Sequence, residues 1–167
     1  MGGDAPDQWR TLKKEEWLYL FQRQAPDGQS LYGRGQITTA DNVTIKGLFL
    51  FPDGFLDIED PANPGNTLNT SRGTTTTFTS NAFSAAQWDA LEKVGVVFLP
   101  AAGYRNGVEP KGQGSAGLYW SSTFRGDGSA ISFYCYFNET ALEPACFSFN
   151  NTRSSGLSVR LVQNFKK

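Results

Sequence analysis

The run Gly117-Leu118-Tyr119-Trp120-Ser121-Ser122-Thr123 sets the reading of this chain, and Ser158-Val159-Arg160-Leu161-Val162 answers it near the end. Between them, Ile131, Phe133, Cys135 and Phe137 alternate with Ser132, Tyr134, Tyr136 and Asn138. A period of two marks a strand buried on one face. The first set is expected to face the core and the second to point outward. Asn138 to Pro144 reads as a hairpin loop and Ala145 to Phe149 as the returning strand. Gly156 to Val162 reads as a last strand, in which Leu157, Val159 and Leu161 alternate with Ser158 and Arg160. Antiparallel strands are therefore expected from Leu118 onward.

Toward the N-terminus the pattern changes. Thr11 to Gln24 predicts a helix, with Thr11 as its N-cap and Leu12, Trp17, Leu20 and Phe21 on roughly one face. Ala25-Pro26-Asp27-Gly28 stops it. Strands are expected over Tyr32 to Thr38 and Val43 to Phe51, the second ended by the Pro52-Asp53-Gly54 turn. Asp57 to Thr77 is long, polar and rich in Pro, Gly, Asn and Thr, and reads as a surface excursion. Its Thr74 to Thr77 run reads as loop or edge strand, and the acidic Asp57, Glu59 and Asp60 as a solvated loop. Phe83 to Val94 predicts a second helix: Ser84 with Gln87 forms a capping box, Phe83 sits at the staple position and Gly95 suits the C-cap. Val96 to Leu99 is a short buried strand closed by Pro100. Early helices before a strand-rich second half give an α+β reading. One domain over residues 9–167 is expected, after a disordered leader at 1–8.

Composition narrows the chemistry. The 167 residues contain no histidine, which removes Ser-His triads, Cys-His dyads and His-based zinc sites. Two cysteines alone cannot close a zinc site. Cys135 and Cys146 either bridge across a hairpin or serve as small buried hydrophobes, and the second is favoured. The net charge of −1 offers nothing to draw in nucleic acid. No apolar run approaches the roughly 20 residues that span a bilayer, so direct membrane insertion is not expected. Met1-Gly2-Gly3-Asp4 carries no signal-peptide pattern. No metal and no cofactor is expected.

Several blocks in fixed order carry a family resemblance. They are Trp9-Arg10-Thr11 to Trp17, Gly47 to Gly54, Trp88 with Leu91-Glu92, Val97-Phe98-Leu99-Pro100-Ala101-Ala102-Gly103-Tyr104-Arg105, Gly117 to Thr123, and Gly156 to Val162. Together they resemble the Fibrobacter succinogenes major paralogous domain family of bacterial surface proteins. The resemblance covers about residues 9–163. It implies a C-type-lectin-like fold of the formylglycine-generating-enzyme branch: two helices, short antiparallel sheets and long loops. It does not carry that enzyme's activity, because Cys135 and Cys146 lack a matching context. Nor does it carry calcium-dependent sugar binding, because Glu143-Pro144-Ala145 and Glu109-Pro110-Lys111 lack the required Asn.

A narrower resemblance is to the variable proteins of diversity-generating retroelements, which display hypervariable residues near the C-terminus. Adenine mutagenesis of AAC codons there yields NNC codons, which cannot encode Trp, Lys, Glu, Gln or Met. None of these occurs from Phe124 to Asn138. The resemblance implies a non-enzymatic display protein, extracellular, on a cell surface or on a phage virion. Its ligand-binding face is expected at Phe124, Arg125, Asp127, Ser129, Ser132, Tyr134, Tyr136, Phe147 and Phe149. The partner is expected to be a protein or glycan on another surface. Outward tyrosines suit that role through large amphipathic contact area. Trp120 is expected in the core, Ser121, Ser122 and Thr123 as turn-bonding residues, and Arg160 in a scaffold salt bridge or on backbone carbonyls. A fixed adhesin or structural module is the first rival reading. The second is an enzyme relic, which requires a reactive thiol at Cys135 or Cys146.

Overall fold

The computed structural model describes residues 9–124, 132–146 and 155–163. The elements in order are β1 (Trp9–Thr11), α1 (Lys14–Gln22), β2 (Tyr32–Thr38), β3 (Thr44–Leu50), β4 (Ala82–Ser84), α2 (Ala85–Lys93), β5 (Val97–Pro100), β6 (Tyr104–Asn106), β7 (Glu109–Lys111), β8 (Ala116–Phe124), β9 (Ser132–Asn138), β10 (Leu142–Cys146), β11 (Gly156–Leu157) and β12 (Leu161–Gln163). They form four small sheets, ordered β4-β2-β3-β5, β10-β9-β8, β11-β6-β7 and β1-β12.

This architecture corrects the expected α+β, C-type-lectin-like fold. Among the described residues strands account for 43% and helices for 13%, with the strands spread over several small sheets. Part of the reason lies at the first helix. Thr11 does not cap it; Thr11 pairs with Leu161 in the β1–β12 ladder. The helix begins only after Lys13, whose backbone N–H donates to the Glu16 carboxylate at 2.8 Å. Arg10 then clamps the same carboxylate with two 2.6 Å bonds. Both helices are nine residues long. The second starts where its capping box predicts, with Ser84 Oγ accepting from Gln87 N–H and Gln87 Oε1 accepting from Ser84 N–H.

The four-stranded sheet is the centre of the molecule. β2 and β3 pair in register from Tyr32↔Leu50 to Thr38↔Thr44, while β4 joins β2 in parallel and β5 joins β3 antiparallel. Both faces are covered, which explains the unbroken apolar run in Gly47-Leu48-Phe49-Leu50-Phe51. Leu48 and Leu50 pack with Trp17, Tyr32, Tyr119, Cys135 and Phe137. Phe49 and Phe51 pack on the other side with Phe83, Leu91, Phe55 and Leu68. Gly117 on β8 leaves room for the ring of its cross-strand partner Phe137 on β9, since a Cβ there would overlap that ring.

The polar excursion lies on the surface as expected, with Asp57 and Glu59 exposed, but it is tied down at a few buried points. Arg34 is fully buried, and its guanidinium donates to the carbonyls of Thr74 (2.9 Å) and Thr76 (2.6 Å). Asn81, also buried, bonds Ser71 N–H, Ser71 C=O and Arg34 C=O. Asp60 is likewise buried and accepts from Ala62 N–H, Asn63 Nδ2 and Gln87 Nε2, fastening the excursion to α2. The amides of Asn63 and Gln87 hold its carboxyl below the ordinary range.

The expected last strand divides. Gly156–Leu157 pairs with β6, and Leu161–Gln163 pairs with β1. Between them, Ser158 exchanges backbone bonds with Leu118 and Trp120 at 2.9 Å each. Among the described residues no helix is long and apolar enough to cross a membrane.

Candidate ligand-binding face

The β8–β9 register places Leu118 opposite Tyr136, Tyr119 opposite Cys135 and Trp120 opposite Tyr134. Alternation then sends the two sets to opposite faces. Tyr119, Cys135 and Phe137 enter the main core. Leu118, Trp120, Tyr134 and Tyr136 stand on the outer face and build a smaller apolar cluster with Leu157, Tyr104, Ala116 and Cys146.

That outer face is more covered than alternation alone implies. Tyr134 is only 4% exposed, which corrects its expected outward presentation. Trp120 meets it edge-to-face at 6.2 Å, and Cys146 Sγ donates to its hydroxyl at 3.4 Å. β10 and β11 thus roof the first tyrosine. Tyr136 is half-buried, and Asn138 Nδ2 donates to its hydroxyl at 2.6 Å. Trp120 is half-buried in this outer cluster and lies outside the main core. Phe124 and Ser132 are cross-strand partners at the far end of the hairpin. Arg125, Asp127, Ser129, Phe147 and Phe149 lie outside the described residues. The structure therefore brings Tyr134 and Tyr136 together and sets Phe124 opposite Ser132.

Phe133, read as core, is half-buried on the inner face, with the Lys14 ammonium 4.3 Å from its ring centroid. Arg160, read as a residue of a scaffold salt bridge or one that bonds backbone carbonyls, is exposed and belongs to no salt bridge among the described residues.

Next to the aromatic cluster lies an open cavity of about 440 Å³ that sequence reading missed. Tyr104, Arg105, Pro110, Gln113, Gly156 and Ser158 wall it, and among the described residues no acidic side chain lines it. Tyr104 and Leu157 belong to both cavity and cluster, so the two form one continuous surface. The Ala101-Ala102-Gly103-Tyr104-Arg105 block carried a signal. Gly103 has φ +71°, and a Cβ there would overlap the Lys111 carbonyl, so this glycine sets the β6–β7 ribbon against the cavity.

The chemistry on offer is recognition by aromatic edges, amide and guanidinium donors. Burial, with Cys146 nearby, raises the Cys135 thiol far above its ordinary value and keeps it protonated. Burial raises the Tyr119 phenol likewise, and its hydroxyl donates to the Pro100 carbonyl at 2.8 Å. Among the described residues no group of three or more Cys, Asp or Glu is placed to hold a metal. No disulfide joins Cys135 to Cys146.

A family model for a domain of unknown function, DUF8237, matches residues 71–162, more than half of the chain. The chain belongs to the DUF8237 family. Neither curated proteins nor solved structures yield a match. The DUF8237 segment runs from the end of the polar excursion to β12. It includes α2, both three-stranded sheets and all the described walls of the 440 Å³ cavity.

Proposed function

We propose that this chain is a non-enzymatic binding protein, and specifically a variable protein of a diversity-generating retroelement. It presents the outer face of the β8–β9–β10 sheet, with the residues that join its strands, to a protein or glycan on another surface. It works outside the cell, on the cell surface or on a phage virion. The observation that carries this reading is that half-buried Trp120 and Tyr136 of the β10-β9-β8 sheet adjoin a cavity walled by the neighbouring β11-β6-β7 sheet, with no acidic side chain among its described walls.

The mechanism is preorganised recognition. Tyr134 is locked beneath the face and supports it, whereas Tyr136 keeps part of its ring accessible. Asn138 fixes the Tyr136 hydroxyl, so little rotamer freedom is lost when a ligand docks. Arg105 and Gln113 then supply donors at the cavity. Affinity comes from desolvating aromatic surface, and specificity from the polar groups around it.

The test is made on the encoding gene and its flank. A near-repeat of the segment coding for residues 118–162 is expected, differing only where the repeat carries adenine, with a reverse transcriptase gene beside it. The differing codons should include those of Phe124, Arg125, Ser132 and Tyr136. A flank with neither repeat nor reverse transcriptase would replace this reading with a fixed surface module.

A further inference from the structure

On another side of the molecule, α1, the β3–Pro52 segment, Gly95–Val97 and β12 enclose a second cavity of about 280 Å³. Its walls are almost wholly apolar and include Leu20, Val97 and Leu161. Two guanidinium-bearing residues, Arg23 and Arg160, complete the lining, and no Asp or Glu is among its walls. Arg23 donates to Asp53 at 2.9 Å and to the Phe51 carbonyl at 3.0 Å, while its Nε is buried without a partner. Arg160 has no carboxylate partner among the described residues. Leu161 is 53% exposed, leaving an apolar wall in water.

We infer that this cavity binds a short-chain fatty monocarboxylate, acyl chain inward and carboxylate at Arg160. With Arg23 already paired to Asp53, the apolar slot keeps one guanidinium, that of Arg160, outside any salt bridge among the described residues, which is complementary to a molecule with one apolar body and one negative head. A guanidinium fork matches a carboxylate and retains its charge at every physiological pH. The volume falls just below the roughly 300–1,000 Å³ usual for small-molecule sites, which selects a short chain over a long one. The orphan Arg23 Nε donor gives a buried polar reason for an acceptor or water to enter. This site is separate from the outer aromatic face, and its test does not depend on that face.

Octanoate is titrated into ¹⁵N-labelled protein, with octanol and acetate as controls. Saturable, one-to-one shifts are expected at the amides of Leu20, Gly95, Val97 and Leu161. Octanol and acetate should each bind about tenfold more weakly or worse, because each lacks one of the two matched features. Arg160→Ala, at an exposed position, should weaken octanoate by about tenfold without moving the thermal midpoint. Leu161→Trp should block the slot. Shifts that never saturate, octanol binding as tightly as octanoate, or an unchanged affinity in Arg160→Ala would each overturn the assignment.

Discussion

The four-stranded sheet and the β10-β9-β8 sheet treat their aromatic residues differently. In the first, every residue from Leu48 to Phe51 is buried, and Phe49 touches the rings of Phe83, Trp88 and Phe98 at 4.7–5.9 Å. In the second, the inner face is buried as deeply at Cys135 and Phe137, yet the outer face grades from buried Tyr134 to half-buried Tyr136 and Trp120. One sheet spends both faces on cohesion, whereas the other spends one face and part of the next. The graded face is therefore the one that can change its residues without unmaking the fold.

That contrast can be broken by substitution. The largest loss is expected for Phe49→Ala, about 3–5 kcal/mol in urea unfolding, because a large ring leaves a closed cavity on a sheet with no free face. A loss below about 1 kcal/mol would mean the two sheets are equally tolerant. Next comes the pair on the outer face. Tyr134→Ala should cost about 3 kcal/mol, and Tyr136→Ala about 1 kcal/mol. Equal losses at the two tyrosines would remove the gradient on which the binding reading leans.

A smaller effect sharpens the comparison from the side of the central sheet. Asp60 and Glu16 both have carboxyls held below their ordinary values by hydrogen bonds, from Asn63 and Gln87 in one case and from Arg10 in the other. A depressed folded-state value means the unfolded chain takes up the proton first as pH falls. The stabilisation is thus complete above the ordinary carboxylate range near 4 and lost below it. Thermal midpoints measured from pH 6 to pH 2 should fall in that window, and Asp60→Asn should flatten the slope. An unaltered slope in this variant would show that Asp60 does not fasten the excursion.

Local signals survived where local physics decides. Tyr32–Thr38 is a strand as read, a short run bounded by the turns around Asp27-Gly28 and Asp41-Asn42. The Ser84–Gln87 box likewise fixed the start of α2. The misreadings have a common cause, namely partners far along the chain. Thr11 makes a sound N-cap by itself, but Leu161 claims it for a strand 150 residues later. Alternation sent Tyr134 to the correct face and could not reveal Trp120, Cys146 and Leu157 gathered above it. The 57–77 stretch is largely exposed as read, and what composition could not reveal are its tethers, namely backbone groups held by Arg34 and Asn81 and the buried Asp60 held by Gln87. The same limit hid the 440 Å³ cavity, whose walls come from two separated stretches, 102–113 and 156–158.

The β1–β12 ladder has a mechanical meaning. Trp9 lies opposite Gln163, so these two residues sit side by side at one end of a three-pair antiparallel ribbon. Tension applied between them loads the pairs one after another, as in opening a zipper, instead of shearing all three at once. The domain would yield first at this seam, releasing slack at low force while the sheet that carries the aromatic face stays intact.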